Sequence, residues 1–233
     1  MKIGILSDIH GNSYALEAVL ARCREEKINQ LLILGDIVGY YYYPDRVLQM
    51  LGGYQISIIR GNHEILLKKL LDGSVDSDEI RKKYGSGTLF AARSLTQHQL
   101  SELINLPDSL SVTIDGLSFG LYHGSPWDPN YYIYPNASND ELDKCIPDLN
   151  LDFLLLGHTH YSFLSIRGKT LIINPGSVGQ PRDEAVGASW AIIDTSNKSV
   201  VFKQTPYDKT QLLKDVEKFD DDVPYLKQVL LRK

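Results

Sequence analysis

The chain has 233 residues, 43% of them hydrophobic and 23% charged, which is enough apolar material for a packed core and too much for a disordered chain. Its net charge of −5 argues against extended nucleic acid or an anionic membrane as partners, although bound cations could still attract an anionic substrate. Apolar runs such as QLLILGDIV are far short of a bilayer span, MKIGILSDIHG lacks the build of a signal peptide, and two cysteines make no disulfide scaffold, so the cytoplasm is the expected setting.

Short apolar runs alternate with helical patterns, which marks an α/β class. The first expected strand is KIGILS, Lys2 to Ser7. A helix follows, because Leu16, Val19, Leu20 and Cys23 share one face and Asn12 or Ser13 can cap its start. Cys23 on that face reads as a core residue. QLLILG (Gln30 to Gly35) and QISIIR (Gln55 to Arg60) are the next strands. From about residue 64 to 107 the pattern is helical and polar, the mark of an insert between strands, and His98 within it reads as an ordinary surface histidine. LSFGLYH (Leu117 to His123), DFLLLG (Asp152 to Gly157) and TLIIN (Thr170 to Asn174) resume the strands. SWAIID (Ser189 to Asp194) and SVVFKQ (Ser199 to Gln204) follow, joined by a turn. From about residue 207 to 233 the chain reads as one or two helices broken near Pro224. No repeat, low-complexity stretch or linker divides it, so residues 1–233 are expected to form a single domain.

The unusual residues stand at strand ends. Asp8 and His10 follow the first strand, Asp36 the second, and Asn62 and His63 the third. His123 closes LSFGLYH, and His158 and His160 follow DFLLLG. In an open α/β sheet, ligands bind beyond the carboxyl ends of strands, so these groups can converge on one crevice. Carboxylate, imidazole and amide oxygen suit first-row divalent metals. Asp8, His10, Asp36, Asn62, His123, His158 and His160 are too many for one tetrahedral ion. Two ions sharing a carboxylate would use them all. Each block alone is weak, since D-x-H is commonly a turn, GNHE a helix start and GHTH a surface loop. The order of the blocks, each after a strand, carries the reading.

The series DIHG, GDIVGY, GNHE, HGSP and GHTH resembles the calcineurin-like metallophosphoesterase superfamily, and its small prokaryotic phosphodiesterase-like branch in particular. The runs SDIHGNSYALEAVL and NPGSVGQPRD are similar to that branch too. The resemblance runs from Met1 to about Tyr207. It implies a four-layer α/β/β/α sandwich of two mixed sheets. It also implies two divalent transition-metal ions, manganese first, with iron, zinc, nickel or cobalt accepted by the same donors. Asp8, His10, Asp36 and His160 would hold one ion. Asp36 would bridge to the other, completed by Asn62, His123 and His158. His63 would be the proton donor or leaving-group stabiliser, and a metal-bridging hydroxide the nucleophile attacking phosphorus. GNHE stands where the branch more often has GNHD, so Glu64 is a variant of the orienting acid. Protein Ser/Thr phosphatases also write RGNHE, but they carry an Arg-containing GDxVDRG where this chain has GDIVGYYYYP.

The function expected is hydrolysis of small phosphodiesters, with phosphomonoesterase or protein phosphatase as the alternative within the enzyme class. A non-catalytic scaffold on the same fold, like the retromer subunit, is the alternative outside it. Aromatics crowd Tyr40 to Tyr43 and Trp127 to Tyr134. Tyr40 and Trp127 are candidates to wall the substrate pocket, and packing of loops or a subunit contact is the other reading. Arg182, after the NPG turn, could grip a phosphate oxygen or pair on the surface with Asp183 or Glu184. The aromatic loops and the helical tail are candidate contacts for a homo-oligomer.

Overall fold

The computed structural model describes residues 1–146, 150–183 and 186–232. Its elements in chain order begin with β1 (Lys2–Leu6), α1 (Ser13–Glu25), β2 (Gln30–Ile33), α2 (Pro44–Leu51) and β3 (Gln55–Ile58). Four helices follow, α3 (Asn62–Leu71), α4 (Ser77–Tyr84), α5 (Gly87–Ser94) and α6 (Gln97–Ile104). Then come β4 (Ser109–Ile114), β5 (Leu117–Tyr122), α7 (Asn139–Lys144), β6 (Phe153–Leu155), β7 (Ser162–Arg167) and β8 (Thr170–Pro175). The chain ends with β9 (Ala188–Asp194), β10 (Ser199–Thr205), α8 (Thr210–Phe219) and α9 (Pro224–Leu230).

The strands form two mixed five-stranded sheets, ordered β10-β9-β1-β2-β3 and β4-β5-β6-β8-β7. In the first, β1, β2 and β3 are parallel, with Ile3 opposite Gln30 and Ile33 opposite Ile58. In the second, β5, β6 and β8 are parallel, and the edge strands β4 and β7 run antiparallel.

Period-two alternation turns these sheets into layers. Ile3, Ile5, Leu32 and Leu34 meet Phe119, Leu121, Phe153 and Leu155 in a buried cluster between the sheets. Leu6, Leu31, Ile33, Trp190 and Ile192 are out of phase with these and face the helices, where Leu16, Val19, Leu20 and Cys23 of α1 pack on them. Leu154 and Ile172 cover the far face of the second sheet, against Leu142 of α7 and Cys145. The order is therefore α/β/β/α.

Asn12 caps α1, its Oδ1 accepting the Ala15 N–H at 3.1 Å. Pro224 occupies the first turn of α9, where its missing N–H costs nothing. The tail is tied down by Asp220. Its buried carboxylate accepts from the Ser86 N–H and Oγ–H and from the Tyr42 O–H, at 2.9, 2.7 and 2.9 Å. No described helix is long and apolar enough to cross a membrane. His98 is exposed beside Glu102.

Candidate metal centre

The loops leaving β1, β2, β5 and β6 and the start of α3 converge at the carboxyl ends of the parallel strands. Asn62 and His63 are not at a strand end but in the first turn of α3, with Gly61 at its cap. Asp8, His10, Asp36, His158 and His160 all have φ between 53° and 66°. Side chains seldom adopt this left-handed region, at a cost of about 1–3 kcal/mol each, and where it occurs it clusters at functional sites. The surrounding backbone holds them there. Asp8 N–H donates to Gly35 O at 3.1 Å, and His10 N–H to Asp36 O at 2.9 Å. The loop after β8 clamps the same turn, with Val178 N–H on Ser7 O and Gly179 N–H on Asp8 O, both at 3.0 Å. Gly35, at φ +91°, lies so close to Gly61 that a Cβ would stand 2.4 Å from its nitrogen.

Glu64 organises the second loop. Its carboxylate accepts the N–H groups of Asp36, Ile37, Val38 and Gly61 at 2.7–3.1 Å. Burial and the Asp36 charge push it up to about 7, and the N–H donors of Gly61, Val38 and Asp36 oppose this by favouring its ionised form. Asp36 in turn accepts from His63 N–H at 2.8 Å.

Four of the imidazoles are aimed by carbonyls. Nδ1 of His10, His123 and His160 lies 3.1, 2.6 and 2.7 Å from the carbonyls of Val38, Leu34 and Gln180. His158 lies the other way round, with Nε2 3.2 Å from Asn130 O. These contacts assign the proton to one nitrogen and turn the other toward the cluster. Donor atoms of Asp8, His10 and His160 lie within 4.8 Å of one another, as do those of Asp36, His123 and His158. Asp36 Oδ2 is 3.7 Å from His10 Nε2 and 3.3 Å from His123 Nε2, so it touches both groups. Asn62 Oδ1 lies 2.8 Å from His123 Nε2. His63 also joins a group with His10 and Asp36, its buried Nδ1 lacking a hydrogen-bond partner.

This donor set fits divalent cations on three grounds. First, Asp8 and Asp36 are 0% and 1% exposed, and among the described residues only histidines pair with them. Buried carboxylates need compensating positive charge. Second, Asp8 Oδ2 accepts from Ser7 Oγ–H and His158 N–H, while Oδ1 has no hydrogen-bond partner. Third, the Nε2 atoms of His10 and His160 face each other at 3.1 Å with both Nδ1 atoms on carbonyls, an arrangement that opposes two lone pairs.

The electrostatics agree. Burial raises the Asp8 and Asp36 carboxyls, but the surrounding imidazoles, His160 and His123 foremost, more than reverse this and hold both ionised. Burial lowers His10 and His63, and with His123 nearby it takes His158 to about 4. These rings are neutral and can donate a lone pair. Burial also works against a charge on His123, yet Asp36 and Asp8 raise it to about 10.

The expected substrate contacts divide. Tyr40 is buried at the centre, edge-on to His10 with centroids 4.6 Å apart and tilted against His63 at 4.8 Å. Tyr41 and Tyr42 instead pack with Leu212, Val216 and Leu226 of the tail, as the loop-packing reading expected. Trp127 lies away from the cluster, under Lys144 Nζ at 4.2 Å and beside Tyr131, because the turn at Ser125–Asp128 directs it toward α7. It is Tyr132 of the same loop that covers His158, with centroids 4.0 Å apart. Arg182 is held by the hydroxyls of Tyr225 at 3.1 Å and Tyr40 at 3.3 Å. No described carboxylate pairs with it, and Glu184 lies outside the described residues. Sequence reasoning held Tyr132 in the run Trp127 to Tyr134 and Ser177 to Gln180 in NPGSVGQPRD without giving either a contact, and it missed Tyr225, which carries no spacing signal.

A model of the calcineurin-like phosphoesterase superfamily domain matches residues 1–198. The chain is 29% identical over 226 residues to the uncharacterized protein MJ0912 of Methanocaldococcus jannaschii, covering 88% of each. It is 27% identical over 212 residues to phosphodiesterase YfcE of Escherichia coli, covering 86% of this chain and 91% of that one. The crystal structure of a metallophosphoesterase from Sphaerobacter thermophilus has a TM-score of 0.81 at 28% identity, covering 100% of this chain and 98% of that one.

Proposed function

Because the chain belongs to the calcineurin-like phosphoesterase superfamily, we propose that it hydrolyses small phosphodiesters at a binuclear metal centre. Asp8, His10, Asp36 and His160 would hold one ion, and Asp36, Asn62, His123 and His158 would hold the other. The observation that carries this reading is Asp36 Oδ2, within 3.7 Å of imidazoles from both groups. A donor set of N and O atoms without thiolate supports manganese, with iron, zinc, nickel or cobalt as substitutes. The buried free cysteines suit a single-domain protein of the cytoplasm.

Bound divalent cations supply Lewis acidity, polarising the phosphoryl group and acidifying water. The chain's own residues do the rest. Glu64 fixes the backbone that carries Asp36 and so sets the spacing of the two donor groups. His63 donates a hydrogen bond from its neutral ring to the departing ester oxygen and so stabilises the leaving group. Its unpartnered Nδ1 supports this role, which is worth roughly 10²–10⁴-fold in rate. Arg182, kept straight by Tyr40 and Tyr225, grips a phosphate oxygen. Tyr40 walls the centre and keeps bulk water off the acidic and basic groups.

Diester chemistry is supported by the activity named for YfcE and by GDIVGYYYYP in place of an Arg-bearing GDxVDRG. Turnover of bis-p-nitrophenyl phosphate and p-nitrophenyl phosphate, measured side by side with Mn²⁺, tests it. Faster hydrolysis of the diester is expected. A preference for the monoester would make the enzyme a phosphomonoesterase. Inertness toward both at full metal occupancy would make it a scaffold.

A further inference from the structure

The loop between β5 and α7 carries four large aromatic residues, and two of them are tethered. Trp127 lies under Lys144, and Tyr131 O–H donates to Glu141 at 2.9 Å. Tyr132 and Tyr134 are arranged differently. Their rings are parallel within 9°, centroids 5.6 Å apart, and each residue is 42% exposed. Tyr132 lies on the imidazole of His158 at 4.0 Å, so the pair begins at the metal centre. Tyr134 is braced edge-on by Tyr161 at 5.9 Å.

Neither ring belongs to a buried apolar cluster. Two rings held flat and half open to water, the inner one against His158, present π surface where an ester substituent must pass. We propose that the Tyr132–Tyr134 pair is a stacking platform for a planar ring, nucleobase or aryl, carried on one arm of the phosphodiester. This rests on the phosphodiesterase reading above. Every base has a π face, so the platform selects for a ring and is indifferent to which base it is.

The test is calorimetric binding of thymidine 5′-monophosphate, phenyl phosphate and methyl phosphate to the Mn²⁺-loaded protein, three ligands with the same dianion. Ring-bearing ligands are expected to bind roughly tenfold tighter than methyl phosphate. Tyr134→Ala and Tyr134→Leu should erase that margin and Tyr134→Phe should keep it. A margin for the nucleotide alone assigns the platform to nucleobases, and one for phenyl phosphate alone to aryl groups. Equal binding of all three, or a margin that survives Tyr134→Ala, overturns the proposal. Bis-p-nitrophenyl phosphate turnover, run alongside, separates the two readings. Hydrolysis without a ring margin removes the platform alone, and a ring margin without hydrolysis removes the phosphodiesterase reading alone.

Discussion

His63 and its neighbour Asn62 show how finely roles divide along the chain. They are consecutive in the first turn of α3, yet Asn62 reaches His123 while His63 turns toward His10 and Tyr40. With His63 as the hydrogen-bond donor that stabilises the leaving group, His63→Ala should lower kcat roughly 10²–10⁴-fold and leave metal content as in the wild type. Loss of metal together with rate would make His63 a ligand, a role its grouping with His10 and Asp36 permits. Steady-state kinetics with metal analysis on one preparation decides between them. Arg182→Ala should act on KM more than on kcat, because the guanidinium holds charge present in both ground and transition states. An unchanged KM would remove Arg182 from the site. These identities were legible from residue type and position. What pairing and spacing could not reveal is the conformation that makes them work, namely left-handed φ at five non-glycine positions.

Loops more than helices or strands carry the candidate site residues, and Gly39 is one of their tight points. At φ +101°, a Cβ there would stand 2.2 Å from His63 Nδ1. Gly39→Ala is expected to push His63 aside and cut turnover at least as far as His63→Ala, with the fold retained by circular dichroism. Near-wild-type turnover would show that the ring has another place to go. The sheets themselves were largely readable, since alternating or continuous apolar runs such as KIGIL and QLLI mark half-buried and buried strands. The edge strands β4 and β7 were not anticipated. SLSVTI and SFLSIR sit at the two margins of the second sheet, with one side open, so their apolar signal is half that of an inner strand. The short helices α2 and α7 were missed as well, being too brief for periodicity to register. Trp127 was chosen over Tyr132 because both stand in one aromatic run, and only the turn geometry separates them.

The molecule as a whole is two sheets back to back, with the site at one end of the seam and a thiol in each outer layer. Burial raises Cys23 to about 12, and burial with the Glu141 charge raises Cys145 to about 11. Neither should react with a thiol reagent at pH 8 in the native state. In low urea Cys145 should label first, since six-residue α7 covers it while thirteen-residue α1 carries Cys23. Simultaneous labelling would mean that both outer layers open as one unit. Residues from both sheets would form the proposed cage for paired cations, with Asp36 common to both ions. Metal stoichiometry by mass spectrometry, after Mn²⁺ loading and removal of excess, tests it most directly. About two ions per chain are expected for the wild type, with loss of both in Asp36→Ala. An Asp36→Ala protein that retains the wild-type stoichiometry, or a wild type that binds none, would contradict it.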